Sequence, residues 1–260
     1  MGTVREALST WDVAWLACDT CGMNDDVAAP MYAGYRFPAA IIAHAVWRSF
    51  RFALSYRDVE ELLAERGVVL TYETVRQWCR TFGQAYANEL RRRRPQTGDT
   101  WPLDEVFVSI NGKTHYLWRA VDLEGNVLDI LVQARRDALA ARKFFRKLLK
   151  GLQYIPRVVI TDKLASDAAA KRAVLPGVAH RRHNGLHNRA ENAHQPTRER
   201  ERRMRRFKSP GHARRFLAAY GSIAGHFRPR RHLLTAAAYR QTRDQRFATW
   251  RAVTGLSAAA

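Results

Sequence analysis

Between Ala39 and Phe82 the apolar residues recur with the period of a helix, interrupted twice. Ala39–Phe50 reads as a first helix. A second starts after Ser55, whose hydroxyl can accept from the free N–H groups of a first turn. Its Val59, Leu62 and Leu63 fall on one face, and Gly67 supplies a natural stop. Thr71 can cap a third helix, in which Val75, Trp78, Cys79 and Phe82 stand at i, i+3, i+4 and i+7. Two short helices joined by a Gly-containing turn predict a helix-turn-helix. The opposite face of the third helix carries Tyr72, Glu73, Arg76, Gln77 and Arg80, side chains suited to phosphates and base edges. A plain helical hairpin with a solvated polar face fits the same spacing.

Arg91-Arg92-Arg93-Arg94-Pro95-Gln96-Thr97-Gly98 breaks the pattern with like charges, Pro and Gly, and reads as a linker. Beyond it the period changes. Asp104–Ile110 is rich in β-branched and aromatic residues, with Asp104 at its start. Asn111-Gly112 is a strong hairpin signal, and Thr114–Val121 and Val127–Val132 supply two further strands. Asp137–Lys150 is predicted as a helix ended by Gly151. Val158-Val159-Ile160 is a short apolar run of the kind buried in a parallel sheet, with Asp162 at its C-terminal end. A helix and a short strand near Gly177–His183 follow, and Glu191 opens a basic helical stretch. Ser209-Pro210 can start another helix with the core stripe Ala213, Phe216, Leu217 and Tyr220. Thr235 can cap one more, and Phe247, Trp250 and Val253 suggest a last.

Three antiparallel strands, helix, strand, helix, strand, helix is the order of a ribonuclease-H-like fold. The fold class expected is therefore α/β: a ribonuclease-H-like mixed five-stranded sheet with flanking helices, preceded by an all-α helix-turn-helix module. The division expected is an extension at 1–34, a helix-turn-helix domain at 35–90, a linker at 91–99, a ribonuclease-H-like domain at 100–225 and a basic helical segment at 226–260. The opening segment is acidic on balance and carries no sustained period, which predicts poor order and a functional start at Met31.

Charge changes this picture more than composition does. The formal net charge of +20 makes the compact state repel itself, and a polyanion is the simplest compensation. Among polyanions, nucleic acid fits the exposed face of the third helix. No run of eighteen apolar residues supports a spanning helix, and no secretory leader pattern is present, so a cytoplasmic, nucleoid-associated protein is expected. Cys18 and Cys21 have the spacing of half a zinc site, but no second half follows. Arg198–Lys208, with seven cations against two Glu, reads as a surface that tracks phosphates.

Three acids stand out within this basic chain. Cleaving a phosphodiester requires an activated nucleophile and a stabilised leaving oxygen, and two divalent ions can serve both ends. Magnesium prefers carboxylate oxygens. The predicted topology sets the strands of Asp104 and Asp162 side by side at the sheet centre, where Glu191, on a helix packed across them, can close a triangle.

These residues lie in a set of motifs that together resemble the bacterial insertion-sequence-six family of DDE transposases. The motifs are Tyr35-Arg-Phe-Pro38, Ser55–Gly67, Trp101-Pro-Leu-Asp-Glu-Val-Phe107, Tyr116-Leu-Trp-Arg-Ala-Val-Asp122, Thr161-Asp-Lys163, Asn188-Arg-Ala-Glu-Asn192 and His194-Gln-Pro-Thr-Arg198. The resemblance runs from about Tyr35 to Gly255. It implies that Asp104, Asp162 and Glu191 are the catalytic, metal-binding triad for two Mg2+ ions, with Mn2+ able to substitute. It also implies a helix-turn-helix that binds terminal inverted repeats, transfer of 3'-OH ends into target DNA, and cointegrate formation. Such enzymes commonly carry a Lys or Arg seven residues after the Glu. Arg198 holds that place, on the same helical face as Glu191, although Pro196 between them would kink or restart the helix. The DNA-binding residues expected are Tyr72, Arg76, Gln77, Arg80, Lys163, Arg198 and Arg202. The partners expected are double-stranded DNA and further copies of the chain, in a dimer or higher oligomer. Asp167, His187 and Ser109 depart from the residues common in the family, and none of these changes removes a carboxylate. Two other readings share the fold: a catalytically decayed, sequence-specific DNA-binding protein, and a nuclease that cuts without joining.

Overall fold

The computed structural model describes residues 30–94, 98–123, 125–161, 165–182, 188–204, 206–229 and 231–256. Three helices open it: α1 (Ala39–Arg51), α2 (Tyr56–Ala64) and α3 (Tyr72–Arg92). Ser55 caps α2 through a reciprocal box with Asp58, and Thr71 caps α3. Each cap supplies an acceptor for N–H groups that a first turn leaves unbonded. Gly67 takes the left-handed conformation, φ +77°, that turns the chain between the two helices. Helix α3 runs past the expected boundary. Arg91 and Arg92 are helical rather than linker, and Arg91 donates from Nε to Ser222 Oγ at 2.9 Å. Arg94 donates to the Val127 carbonyl at 2.7 Å. The start of the basic run is thus an anchor, because buried carbonyl and hydroxyl acceptors lie within its reach.

The sheet contains β1 (Thr100–Ile110), β2 (Lys113–Val121), β3 (Val127–Gln133), β4 (Val158–Thr161) and β5 (Ala179–Arg182). Their spatial order is β3-β2-β1-β4-β5. The first three are antiparallel neighbours, and β4 and β5 are parallel to β1. This is the ribonuclease-H-like arrangement. Asn111 and Gly112, at φ 53° and 77°, form the two-residue turn whose twist matches the flanking strands.

Helices α4 (Ala138–Leu152) and α5 (Ala165–Val174) are followed by α6 (Asn188–Arg203), α7 (Pro210–His226) and α8 (Ala236–Val253). Helix α4 continues through Gly151 and ends at Gln153, which itself takes the left-handed cap at φ 50°. The C-terminal stretch is one helix rather than two, since Phe247, Trp250 and Val253 extend the helix that Thr235 caps. Leu62, expected in the core with Val59 and Leu63, is exposed.

Two cores sandwich the sheet. On one face Trp101, Leu103, Trp118 and Ala120 pack with Phe144, Phe145 and Leu148 of α4. On the other, Val106, Val108, Ile110, Leu117 and Ile130 join α1, α2, α3, α7 and α8 in one continuous cluster. The N-terminal helices therefore share a core with the sheet and are not a free-standing module. Gly83 makes this possible. A Cβ there would lie 2.7 Å from the Phe50 ring, so α1 and α3 approach more closely than any side chain would allow. Tyr32, placed by sequence in the extension, is buried. Its hydroxyl lies 2.6 Å from that of Tyr86 and donates to the Thr254 carbonyl at 2.7 Å. The fold thus includes residues before 35. Cys18 and Cys21, and the rest of 1–29, lie outside the described residues.

Candidate active site

Strand β1 pairs with β4 only over Thr100–Pro102 and with β2 over Leu103–Ile110. Asp104 is the fifth residue of β1 rather than its first, and stands just beyond the point where β1 and β4 part. Alternation along the strand puts its side chain on the same face as Val106 and Val108. Its cross-strand partner is Arg119, and directly opposed residues share a face.

Arg119 is only 2% exposed. An isolated buried guanidinium costs several kcal/mol (roughly) unless hydrogen-bonded and paired. It donates to Thr197 Oγ1 of α6 at 2.5 Å. Burial pushes its pKa down to about 10, opposed by the fields of Tyr220 and Asp104. It therefore remains a cation at neutral pH, beside the carboxylate of Asp104.

Helix α6 lies across this point. His194 is buried on α6, with Nε2 3.3 Å from Asp104 Oδ2. Burial lowers the His194 pKa, against the opposing influence of Asp104, with the positive charges of Arg119 and Arg198 adding to the depression. The ring is thus neutral at pH 7. Three residues before it in the same helix is Glu191, and four after it is Arg198. The three fall at i, i+3 and i+7, one face of a helix. Helix α6 runs through Pro196 without restarting, so this register is kept. The Pro196 carbonyl accepts from the Tyr220 hydroxyl of α7 at 3.1 Å.

Further contacts moor α6. The Glu201 carboxylate accepts from Ser109 N at 3.2 Å. Arg200, 2% exposed, donates to the carbonyls of Leu54 and Phe52, in the loop that leads into α2. Its guanidinium lies 5.6 Å from the centroid of the Phe216 ring. The helix that carries Glu191 is thereby tied both to the sheet and to the N-terminal helices.

Of the residues expected at the site, Asp104 is placed as described, and Arg198 and Arg202 are exposed on α6. Asp162 and Lys163 lie outside the described residues, as does the side chain of Glu191. Thr161, immediately before Asp162, ends β4 next to β1. On α3, Tyr72, Arg76, Gln77 and Arg80 are all exposed. Arg76 forms a two-pronged pair with Glu73, and the Tyr72 N–H donates to the Glu60 carboxylate at 2.9 Å. Arg119 and His194 were part of recognisable motifs, but sequence reasoning gave them no role. Arg200, read with Arg198–Lys208 as a cation that tracks phosphates, is instead buried against the Leu54 carbonyl.

Asp104 is a ligand of the type that hard cations prefer. It offers carboxylate oxygens beside the neutral imidazole of His194, whose Nε2 faces it at 3.3 Å and whose Nδ1 has no hydrogen-bond partner among the described residues. Such unmet polar capacity is what a hydrated divalent ion can complete. Among the described residues alone, no three His, Cys, Asp or Glu converge to hold a metal.

An acid at the parting of β1 and β4, faced by a helix with a Glu one turn from the contact, is the layout of a DDE domain. Residues 98–230, just over half of the chain, match the family described as the DDE domain. Relatives include the transposase for insertion sequence-like element IS431mec of Staphylococcus aureus (strain Mu50 / ATCC 700699). Another is the transposase for insertion sequence element IS257 in transposon Tn4003 of Staphylococcus aureus. Both are 35% identical over 140 residues, which is 54% of this chain. The chain spans 62% of the length of these relatives. Among solved structures, a chain of the simian T-cell lymphotropic virus intasome in complex with PP2A regulatory subunit B56 gamma is 14% identical. It covers 61% of this chain and 56% of its own, with TM-score 0.40. The HTLV-2 integrase catalytic core domain in complex with magnesium is 13% identical, covers 58% of this chain and 98% of its own, and has TM-score 0.37. The chain belongs to the DDE-domain family, in its insertion-sequence-six branch of transposases.

Proposed function

We propose that this protein is the transposase of a bacterial insertion sequence, acting on nucleoid DNA in the cytoplasm as a dimer or higher oligomer. In this reading Asp104, Asp162 and Glu191 hold two Mg2+ ions, with Mn2+ able to substitute. The observation that carries it is the docking of α6 on β1: the contact of His194 with Asp104 falls one helical turn from Glu191. Asp162 follows in sequence the last residue of β4, the strand beside β1, which supports grouping it with the other two acids.

Asp104, Asp162 and Glu191 would hold the ions, whose chemistry when bound would be activation of the attacking hydroxyl and stabilisation of the leaving oxygen. The chain's own residues do the rest. Arg119 offsets the negative charge of the carboxylates from within the sheet, and through Thr197 it fixes α6 on β2. Neutral His194 packs against Asp104 without adding a competing positive charge. Lys163, Arg198 and Arg202 grip phosphates of the reacting strands. Tyr72, Arg76, Gln77 and Arg80 bind the terminal inverted repeats: Gln77 reads a base edge, and the arginines reach phosphates or guanine. Release of Arg76 from Glu73 is easy, because an exposed ion pair is weak in water.

The test is incubation of the full chain with duplex carrying the element's own ends, target DNA and Mg2+. Cleaved 3'-OH ends and joined products are expected, and Asp104→Asn should abolish both while leaving end binding nearly intact. Binding without either product would favour a regulator of the same fold, and cleavage without joining would favour a nuclease.

A further inference from the structure

A second cationic surface lies away from both the recognition helix and the acidic site. The C-terminal end of α1 packs against the end of α7 through a cluster of rings. Trp47 stands 5.3 Å from Phe52 and 5.9 Å from Phe227, centroid to centroid, and Phe227 stands 5.1 Å from Phe247 of α8. This floor brings together the residues on either side of it. Arg51 lies over Phe52 at 5.2 Å, Arg228 follows Phe227 directly, and Arg231 lies over Tyr239 of α8 at 5.0 Å. Arg51 feels the charge of Arg228, which together with burial lowers its pKa, and it is also within the field of Tyr239. Among the described residues none of the three arginines pairs with a carboxylate.

Beyond the ring contacts of Arg51 and Arg231, folding gains nothing from gathering three guanidinium groups that lack a carboxylate partner. Their mutual repulsion is a cost that an external polyanion would remove. Flat guanidinium groups resting on aromatic rings keep their outward N–H edges free for phosphate oxygens. The position is also informative. Phe52, beside Arg51, offers its carbonyl to Arg200 of α6. Tyr220, whose field also reaches Arg51, donates to Pro196 of α6. The cluster therefore borders the junction where the helix carrying Glu191 meets the loop leading into α2.

We propose that Arg51, Arg228 and Arg231 form a sequence-independent phosphate-binding surface for duplex DNA, beside the junction of α6 with the loop leading into α2. The proposal rests on the reading of DNA as substrate. It is tested with the full chain, by measuring affinity for two duplexes, with and without the element's ends, across a salt series. Each phosphate contact contributes about 0.9 to the slope of log K against log salt. The variant Arg51→Gln/Arg228→Gln/Arg231→Gln should lower the slope by about 2–3 on both duplexes alike. Removing equal charge from the outer face of α4, in Lys143→Gln/Arg146→Gln/Lys150→Gln, should change it by less than about 1. Arg51 is half-buried, so if the triple variant melts early, the exposed pair Arg228→Gln/Arg231→Gln is read instead, with an expected drop of about 1–2. A wild-type slope in these variants, or an equal drop in the α4 variant, would overturn the surface while leaving the transposase reading standing. Failure of the wild-type chain to bind either duplex would overturn both.

Discussion

The two faces of the central sheet are built on opposite principles. Beneath α4 and α5 the core is formed by Trp101, Leu103, Trp118, Ala120, Phe144 and Phe145, with Glu105, paired to Arg136, and Lys171 as charged exceptions at its margin. Beneath α6 and α7 the same strands bury Arg119, and the covering helices bury His194, Thr197, Arg200 and Ser222. Apolar burial stabilises without direction. Buried polar groups stabilise only where each finds its partner, so they specify geometry. The first face holds the sheet together, and the second fixes where α6 lies on it. Only the second surrounds Asp104.

The largest effect expected from this contrast is on the apolar face. Phe144→Ala should destabilise the fold by about 3–5 kcal/mol, read by chemical denaturation. Arg119→Met should behave differently. Removing one partner of a buried ionic contact leaves the other uncompensated, but the Asp104 side chain is 14% exposed and open to solvation. The loss of stability should therefore be smaller than for Phe144→Ala, while strand cleavage falls by about 100-fold or more, because α6 loses its anchor and Asp104 its counter-charge. Equal losses of stability in the two variants would erase the distinction between the faces.

Arg200→Ala probes the tie between α6 and the N-terminal helices. It should cost about 2–3 kcal/mol, through carbonyl acceptors left buried and unpaired. Gly83→Ala should cost about 1–3 kcal/mol despite the better helix former, because the new methyl group meets the Phe50 ring.

A smaller effect comes with pH. Burial, aided by Arg48 and Arg66, lowers the His44 pKa to about 3, and burial lowers that of His226 to about 4. Both rings are neutral in the fold and take up a proton near pH 6.5 when unfolded. Their contribution is therefore present above pH 6.5 and is lost as pH falls from there toward about 4 for His226 and about 3 for His44. Melting temperature should fall over that window, and the fall should be shallower in His44→Gln, provided that this variant folds at pH 7.

Much of this architecture could be read from the chain. The caps at Ser55, Thr71 and Thr235 were legible because each needs only local geometry. So was the hairpin. A two-residue turn at Asn111-Gly112 fixes every cross-strand pair, and Asp104 opposite Arg119 follows from that register alone. His194 was also within reach, as the residue one turn beyond Glu191. What local pattern could not supply was tertiary reach. The basic run at Arg91–Arg94 resembles a linker until the acceptors on α7 and β3 are known. Tyr32 resembles part of a frayed extension until Tyr86 and Thr254 close on it. Arg200 resembles one more solvated cation until Phe52 and Leu54 present their carbonyls. In each case a long charged or amphipathic side chain finds its partner far away in sequence, and periodicity carries no signal for that.

The central claim is that α6 brings Glu191 to Asp104 and Asp162 to complete one metal site. The most direct measurement is a crystal structure of the full chain grown with Mg2+ or Mn2+. Two ions roughly 3.5–4 Å apart, held by Asp104, Asp162 and Glu191 with Arg119 and His194 alongside, is the expected result. An ion bound elsewhere, or any one of the three carboxylates turned into a different pocket, would contradict it.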